Sequence, residues 1–313
     1  MDTYRTPLRY PGGKRSLYKL ICEILRSNGI ADGYYVEAFA GGAGLGIELL
    51  LQEYVHHVYL NDADPHIFSF WQSVLNQTDA FVKKIESIPL TVEEWRKQRE
   101  IYQNPRAYST LDVGFSAFFL NRCNRSGILR GRPIGGLDQT GKWKIGARFN
   151  RKNLIARVEM ISFYRERITV EGSDALVFLK SIVERLDKAK TLLYLDPPYY
   201  VMGRELYLNN YTPSDHLKLS QFIKSLPFMW VLSYDNVAKI REMYSDLKSL
   251  EVGFYYRANE RKEGKELMFF SDRLAVPAMW ESAPLSTRPS RSRCLKETIA
   301  SPEGPKLAGD AVT

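Results

Sequence analysis

The stretch from Tyr34 to Asp62 restricts the possible folds more than any other part of the chain. Tyr34 to Phe39 is a short apolar run, Gly41 to Gly46 is rich in glycine, and Ile47, Leu50 and Leu51 have helical spacing. Val58-Tyr59-Leu60 then ends in Asn61-Asp62. Strand, glycine turn, helix, strand and acid make one unit of a doubly wound α/β fold, whose parallel strands are buried on both faces. Small residues in the turn let the backbone come close to a cofactor. An acid closing the second strand is placed to accept hydrogen bonds from ribose hydroxyls. A nicotinamide enzyme would fit this unit nearly as well, but the turn lacks full G-x-G-x-x-G spacing.

The alternation resumes downstream. Ile168-Thr169-Val170 predicts a strand, Leu176 to Leu186 a helix, and Leu192 to Leu195 a strand that feeds Asp196. Thr212 predicts an N-cap, with Pro213 in the first helical position, Asp215 in the first turn, and an apolar face at Leu217, Leu219, Phe222 and Ile223. Strands are expected at Met229 to Leu232, Val252 to Tyr256 and Leu267 to Phe270, the last two as an antiparallel pair across a charged stretch containing Gly264. Near the start, Leu17, Leu20, Ile21, Ile24 and Leu25 follow an amphipathic helical rhythm after the loop Arg9 to Lys14.

Between Asp62 and Ile168 the regular pattern lapses. Helical stretches near Ile67 to Leu75 and Val92 to Tyr102 lead into a glycine-studded segment that predicts turns and a hairpin rather than helix. From Phe115 to Arg157 it carries ten basic residues against one acid, Asp138, a net +9 in a chain whose total is +8. Charge concentrated in this way is the electrostatic footprint of a phosphate-backbone contact. The expected organisation is therefore a discontinuous catalytic domain, 1–64 and 158–274, with an inserted recognition module at 65–157. From about Ala275 the composition, rich in Pro, Ser, Arg and Gly, predicts a disordered tail.

Other classes are disfavoured. No apolar run approaches the roughly 18 residues that span a bilayer, and no secretory leader precedes the first helix. Cys22, Cys123 and Cys294 and the four histidines lack metal-ligand spacing. A cytoplasmic protein of reduced thiols, without a metal or a membrane partner, is expected.

The most specific chemical signal is Asp196-Pro197-Pro198-Tyr199, at the carboxyl end of a buried-looking strand. Taken alone it also reads as a strand ending in a proline turn with a capping Asp. An adenine N6 amine is a poor nucleophile because its lone pair is delocalised into the ring. A carboxylate and a rigidly held backbone carbonyl, from Asp196 and Pro197, could accept its hydrogens and favour a pyramidal nitrogen. Tyr199, and Tyr200 beside it, offer a face on which an extruded base can stack. Glu37 is placed either to face a ligand ammonium or to sit at the surface. Trp143, Phe149 and Tyr211 are candidates to stack or wedge where a base has flipped, or else core residues.

In their order these segments resemble the Dam-type adenine-specific DNA methyltransferases, over roughly Pro7 to Ser271. Pro11-Gly12-Gly13-Lys14 is similar to the family's A-G-G-K segment, which implies that Lys14 and its neighbours Tyr10, Gly12 and Gly13 line the cofactor pocket. Phe39 to Gly44, with Gly41, Gly42 and Gly44, resembles its cofactor loop. Asp62 corresponds to its ribose-binding acid, Asp174 more weakly to a further cofactor-side acid, and Asp196 to Tyr199 to its catalytic tetrad. Phe119 to Arg122, Ser126-Gly127 and Leu129-Arg130 resemble its recognition stretch, but Cys123 to Ser126 and Gly131 to Gly136 depart from it, so the family's GATC target is not carried over.

The resemblance implies a Rossmann-like α/β methyltransferase fold with an inserted, mainly helical plus hairpin DNA-recognition module, S-adenosyl-L-methionine as cofactor, and a flipped adenine in double-stranded DNA as substrate. Asp at 196 and a basic insert favour adenine in DNA over RNA adenine or cytosine N4. A degenerate, non-catalytic DNA-binding subunit is the alternative from another class. Asn121, Arg122, Arg125, Arg130 and Arg132 have side chains that can fork onto base edges, and Lys142 and Lys144 suit phosphates. A monomer or weak dimer is expected, with a cognate restriction endonuclease as a conceivable partner.

Overall fold

The computed structural model describes residues 5–9, 14–201, 211–258 and 260–277, with the side chains of 15, 16 and 253–265 outside the description. Seven strands form one sheet: β1 (Gly33–Glu37), β2 (Val55–Asn61), β3 (Ile168–Glu171), β4 (Thr191–Leu195), β5 (Met229–Asp235), β6 (Ser249–Ala258) and β7 (Glu260–Phe270), in the order β3-β2-β1-β4-β5-β7-β6. The first five pair in parallel, and β7 runs antiparallel to both β5 and β6. Strand order reverses between β1 and β4, and a doubly wound sheet opens its ligand crevice beyond the carboxyl ends at such a point.

The parallel strands are apolar on both faces because helices cover both. One face carries α8 (Ala175–Arg185), α9 (Pro213–Ser225) and α10 (Ala238–Met243), which bury Phe178, Leu179, Leu219, Ile223 and Ile240 against Val36, Leu193 and Leu232. Thr212 caps α9, as its sequence predicts, and closes a capping box with Asp215. The expected apolar face shifts, however. His216 is buried and Leu217 is exposed, because the imidazole has a partner inside: its Nδ1 lies 2.7 Å from the Tyr234 hydroxyl.

On the other face, α1 (Tyr18–Ser27) and α2 (Gly44–Leu51) lie in one continuous apolar cluster with helices from the excursion between β2 and β3. These are α3 (Pro65–Asn76), α4 (Thr78–Ser87), α5 (Val92–Gln103), α6 (Thr110–Cys123) and α7 (Arg151–Phe163). Phe70, Phe81, Phe115 and Phe118 form its aromatic centre, with edge-on and stacked rings 5.3–6.2 Å apart. α3 and α6 pack so closely at Gly114 that a Cβ there would lie 2.4 Å from the Ser69 carbonyl oxygen.

The expectation of a hairpin is corrected here, whereas the glycine-bearing stretch between α6 and α7 does form turns and short 3-10 segments rather than α-helix, as expected. The basic segment begins inside α6 and ends inside α7, and the hairpin reduces to an isolated bridge between Asn124 and Pro133. Residues 113–121 of α6 are all buried, so it is apolar on every side and lacks the stripe that marks an amphipathic helix. Residues 278–313 of the expected tail lie outside the described residues.

Candidate active site

The loops after β1, β2, β3 and β4 converge on one cavity of about 540 Å³. Phe39 to Gly44, Asp62, Asp174, Asp196, Pro198 and Tyr199 all line it, as do Lys14, Glu37 and Tyr211. Its size falls within the roughly 300–1,000 Å³ of ordinary cofactor pockets.

The turn after β1 reverses tightly, with Gly41 at φ 47° and Ala43 at φ 43°. A non-glycine residue in the left-handed region is uncommon. Ala43 is held there as the cap of α2, with the Gly41 N–H donating to Asp62 Oδ2 at 2.8 Å and Trp71 Nε1 donating to the Gly41 carbonyl at 3.0 Å. Asp62 also accepts from the Asp64 N–H at 2.9 Å, so its carboxylate braces the very loop it faces. Burial pushes its pKa up to about 7, against the two N–H donors.

Glu37 resolves in favour of the interior, being 5% exposed. It accepts from the Gly46 N–H at 2.8 Å, and burial, opposed by that bond and reinforced by Asp196, pushes its pKa up to about 8. Among the described residues, neither Glu37 nor Asp62 is paired with a basic side chain. Asp174 caps α8, accepting from Leu176 and Val177 N–H at 2.9 and 3.3 Å.

Asp196 is the centre of a polar network. Its Oδ1 accepts from Ser233 Oγ at 2.7 Å and lies 3.1 Å from Lys14 Nζ. Burial, opposed by Lys14 and reinforced by Glu266, holds the carboxyl above its ordinary value. Burial works to lower the Lys14 pKa, but Asp196 and Glu266 together outweigh it and raise it. Pro197 and Pro198 are buried. Tyr199 donates its hydroxyl to Glu266 Oε1 at 2.5 Å, and Asp235 fixes the chain that follows by accepting from the N–H groups of Tyr200 and Val201 at 2.9 and 3.1 Å.

Several of these partners escape sequence reasoning. Asn61 is fully buried; its amide donates to the carbonyls of Ala38 and Ser173 and accepts from the Ser173 N–H, joining the loops after β1, β2 and β3. Its place beside Asp62 at a strand end is the only hint of this. Ser233, Asp235 and Glu266 lie on strands where alternation marks them only as facing residues.

The candidate DNA contacts divide. Arg125, Arg130, Arg132, Lys142 and Lys144 are exposed, and Trp143 is 66% exposed. Asn121 is 1% exposed: its amide bonds to the Arg9 N–H, the Arg9 carbonyl and the Gly127 carbonyl, so it straps the N-terminal segment to α6 rather than facing a groove. Arg122 is half-buried and donates to the carbonyls of Arg148 and Pro7, which fixes its fork inside the protein. Phe149 packs in the core against Phe118 and Phe119. Tyr211 lies edge-on to Phe39 at the cavity, with centroids 6.1 Å apart. Tyr10, Gly12 and Gly13 lie outside the described residues. Among the described residues no cluster of His, Cys, Asp or Glu could hold a metal ion, and no helix is long and apolar enough to cross a membrane.

The chain is also similar to known proteins. The Type II methyltransferase M.MjaIII of Methanocaldococcus jannaschii is 23% identical over 239 residues, covering 70% of this chain and 79% of that protein. The Type II methyltransferase M.CviBI of Paramecium bursaria Chlorella virus NC1A is 21% identical over 254 residues, 80% of this chain and 90% of that one. A solved structure, a putative methyltransferase yhhF from Escherichia coli, matches with a TM-score of 0.31 at 10% identity over 83% of this chain and 88% of its own, a likeness too slight to carry weight. Residues 10–258 match one family's description, and they include all four cavity loops. The chain thus belongs to the family of D12 class N6 adenine-specific DNA methyltransferases.

Proposed function

We propose that the cavity joins an S-adenosyl-L-methionine site to an adenine site, and that Asp196 is the catalytic carboxylate for methylation of a flipped adenine in duplex DNA. The observation that carries this is the opening of Asp196 and Asp62 onto one cavity. Lys14, Glu37, Phe39 to Gly44, Asp62 and Asp174 would hold the cofactor. The donor set fits: Glu37 and Asp62 are buried acids without a basic partner among the described residues, and a cationic ligand would stabilise both as carboxylates. When bound, S-adenosyl-L-methionine supplies an electrophilic methyl group on a sulfonium centre.

The chain's own residues do the rest. The Asp196 carboxylate accepts a hydrogen bond from the N6 amine, stabilises the positive charge that develops on nitrogen and is placed to take the proton that nitrogen sheds. The Ser233 hydroxyl, itself 2.9 Å from the Tyr194 hydroxyl, fixes the rotamer of that carboxylate. The buried Pro197-Pro198 pair restricts the backbone beside it, and Tyr199 and Tyr211 give the base flat surfaces near the cavity. Holding the amine against the donor converts a bimolecular encounter into a positioned one. Residues 65–157 serve as the recognition module in this scheme, with Arg125, Arg130, Arg132, Lys142 and Lys144 on DNA, and the enzyme works in the cytoplasm.

Asp196→Ala tests the scheme. Methyl transfer from labelled cofactor should fall by about 10³-fold or more, while DNA binding in a mobility-shift assay stays near wild type. Digestion of the product should yield N6-methyladenine. Wild-type transfer by the variant, or a methylated cytosine, would overturn the assignment.

A further inference from the structure

Glu266 is a buried carboxylate beside the reacting groups that the chemistry above does not use. It is 2% exposed on β7, paired in register with Asp235 of β5. Lys14 Nζ lies 3.2 Å from its Oε1 and 3.0 Å from its Oε2, and 3.1 Å from Asp196 Oδ1. One ammonium therefore stands between two carboxylates. The Tyr199 hydroxyl lies 3.3 Å from Lys14 Nζ as well as donating to Glu266, and the ammonium is 5.4 Å from the Tyr199 ring centroid.

This geometry raises a competition. Lys14 stands against the carboxylate that an adenine amine must reach, and an ammonium left there would oppose the positive charge forming on N6. A cation with Asp196 as its sole anionic partner would have to break a buried ion pair to make way, and removing one partner from such a pair is costly. Glu266 removes that obstacle, since Lys14 already touches both of its oxygens and needs only to pivot.

We propose that Glu266 is a positioning residue for base capture: it fixes the Tyr199 ring through its hydroxyl and takes over the Lys14 ammonium when the adenine amine claims Asp196. The proposal rests on the catalytic reading of Asp196.

The test uses the full chain, tritiated S-adenosyl-L-methionine and genomic DNA from a methylation-deficient strain. Glu266→Gln keeps the volume and an acceptor for Tyr199 but removes the second negative charge. The expected result is a rise in KM for DNA of about tenfold with a smaller fall in kcat, and a cofactor Kd by calorimetry within about twofold of wild type. Lys14→Gln added to that variant, and assayed at saturating cofactor because Lys14 also borders the cofactor site, should recover about threefold or more of the kcat/KM for DNA lost in the single variant, because the trapped ion pair is gone. A purely structural role predicts no such recovery.

Unchanged KM and kcat in Glu266→Gln, or a double variant no better than the single, would overturn the proposal. Should Glu266→Gln fail to fold, Glu266→Asp decides instead: withdrawing the carboxylate by one methylene should raise KM for DNA by about threefold or more, and wild-type kinetics would be equally fatal. If Asp196→Ala transfers methyl normally, the underlying reading falls. If that variant is dead and the Glu266 variants are normal, only the present proposal falls.

Discussion

The strand ends and the elements around them bring opposite charges to the same cavity. Glu37, Asp62, Asp174 and Asp196 stand at or just past the carboxyl ends of β1, β2, β3 and β4, whereas Arg5, Arg9, Arg122, Arg148 and Arg157 come from the N-terminal segment and from the chain between β2 and β3. Burial pushes Glu37 up to about 8 and Asp62 up to about 7; Arg122 is pushed down to about 9 by burial and then by Arg9, Arg157 and Arg148. Glu37 and Asp62 on one side and Arg122 on the other thus resist ionisation. Acids kept partly neutral await a cation, and crowded guanidinium groups favour an anion. The contrast teaches that one cavity presents acids from the sheet and guanidinium groups from the chain around it, a lining suited to two ligands of opposite charge, as the proposed cofactor and DNA would be.

The widest gap between the two sets should come from Asp62→Ala. Losing charge-assisted hydrogen bonds should weaken cofactor binding by about 10–100-fold in calorimetry and leave DNA affinity within about twofold. Equal losses of both would break the division of labour.

Titration should sharpen it next. Glu37 and Asp62 have folded-state values of about 8 and 7, above the ordinary 4.5 and 3.8. Between those limits the folded chain holds more protons than the unfolded one. Their contribution to ligand-free stability is therefore full below about pH 4 and is lost as pH rises through 7 and 8. A cationic ligand reverses the preference, so cofactor affinity should rise from pH 6 to 8, by at most about tenfold per unit for each group, with protons released on binding. Calorimetry in buffers of different ionisation enthalpy measures that release. Glu37→Gln should flatten the upper part of the curve, and a pH-independent affinity would remove the link between these acids and a cation.

Arg148→Ala probes the basic set more gently, since Arg148 is exposed while its carbonyl holds Arg122. DNA affinity should fall by about fivefold, the scale of one lost charged contact, with cofactor affinity unchanged. A fall in cofactor affinity instead would place this arginine on the wrong side of the comparison.

The acid set is far more legible in the sequence than the basic one, for physical reasons. A parallel strand buried on both faces is a short apolar run, and the residue that follows it enters the crevice, so Asp62 and Asp196 can be placed from pattern, while Glu37 is left between cavity and surface. α6 defeats the same method, because a helix buried on every side has no polar stripe to betray its period. Asn121 and Arg122 therefore read as parts of a recognition loop, while they are braces in the interior. Glu266 is beyond reach for another reason. Its partner Lys14 lies 252 positions away, and only the closed sheet brings them together.

The smallest expected effect concerns the exposed stretch between α6 and α7, where Lys142 and Lys144 flank Trp143. Lys144 Nζ donates to the Gln139 carbonyl at 2.5 Å, whereas Lys142 lies 5.9 Å from the Trp143 ring centroid, a contact of little worth in water. Removing Lys142 should therefore cost no stability. If it meets a phosphate, Lys142→Ala should weaken DNA binding only about two- to threefold at moderate salt and lower the slope of log affinity against log salt by about one counterion. Cofactor affinity should not change at all. Because a solvated lysine that never meets DNA would leave that slope intact, the salt series decides whether the basic set extends from the cavity out to this stretch or stops at Arg148.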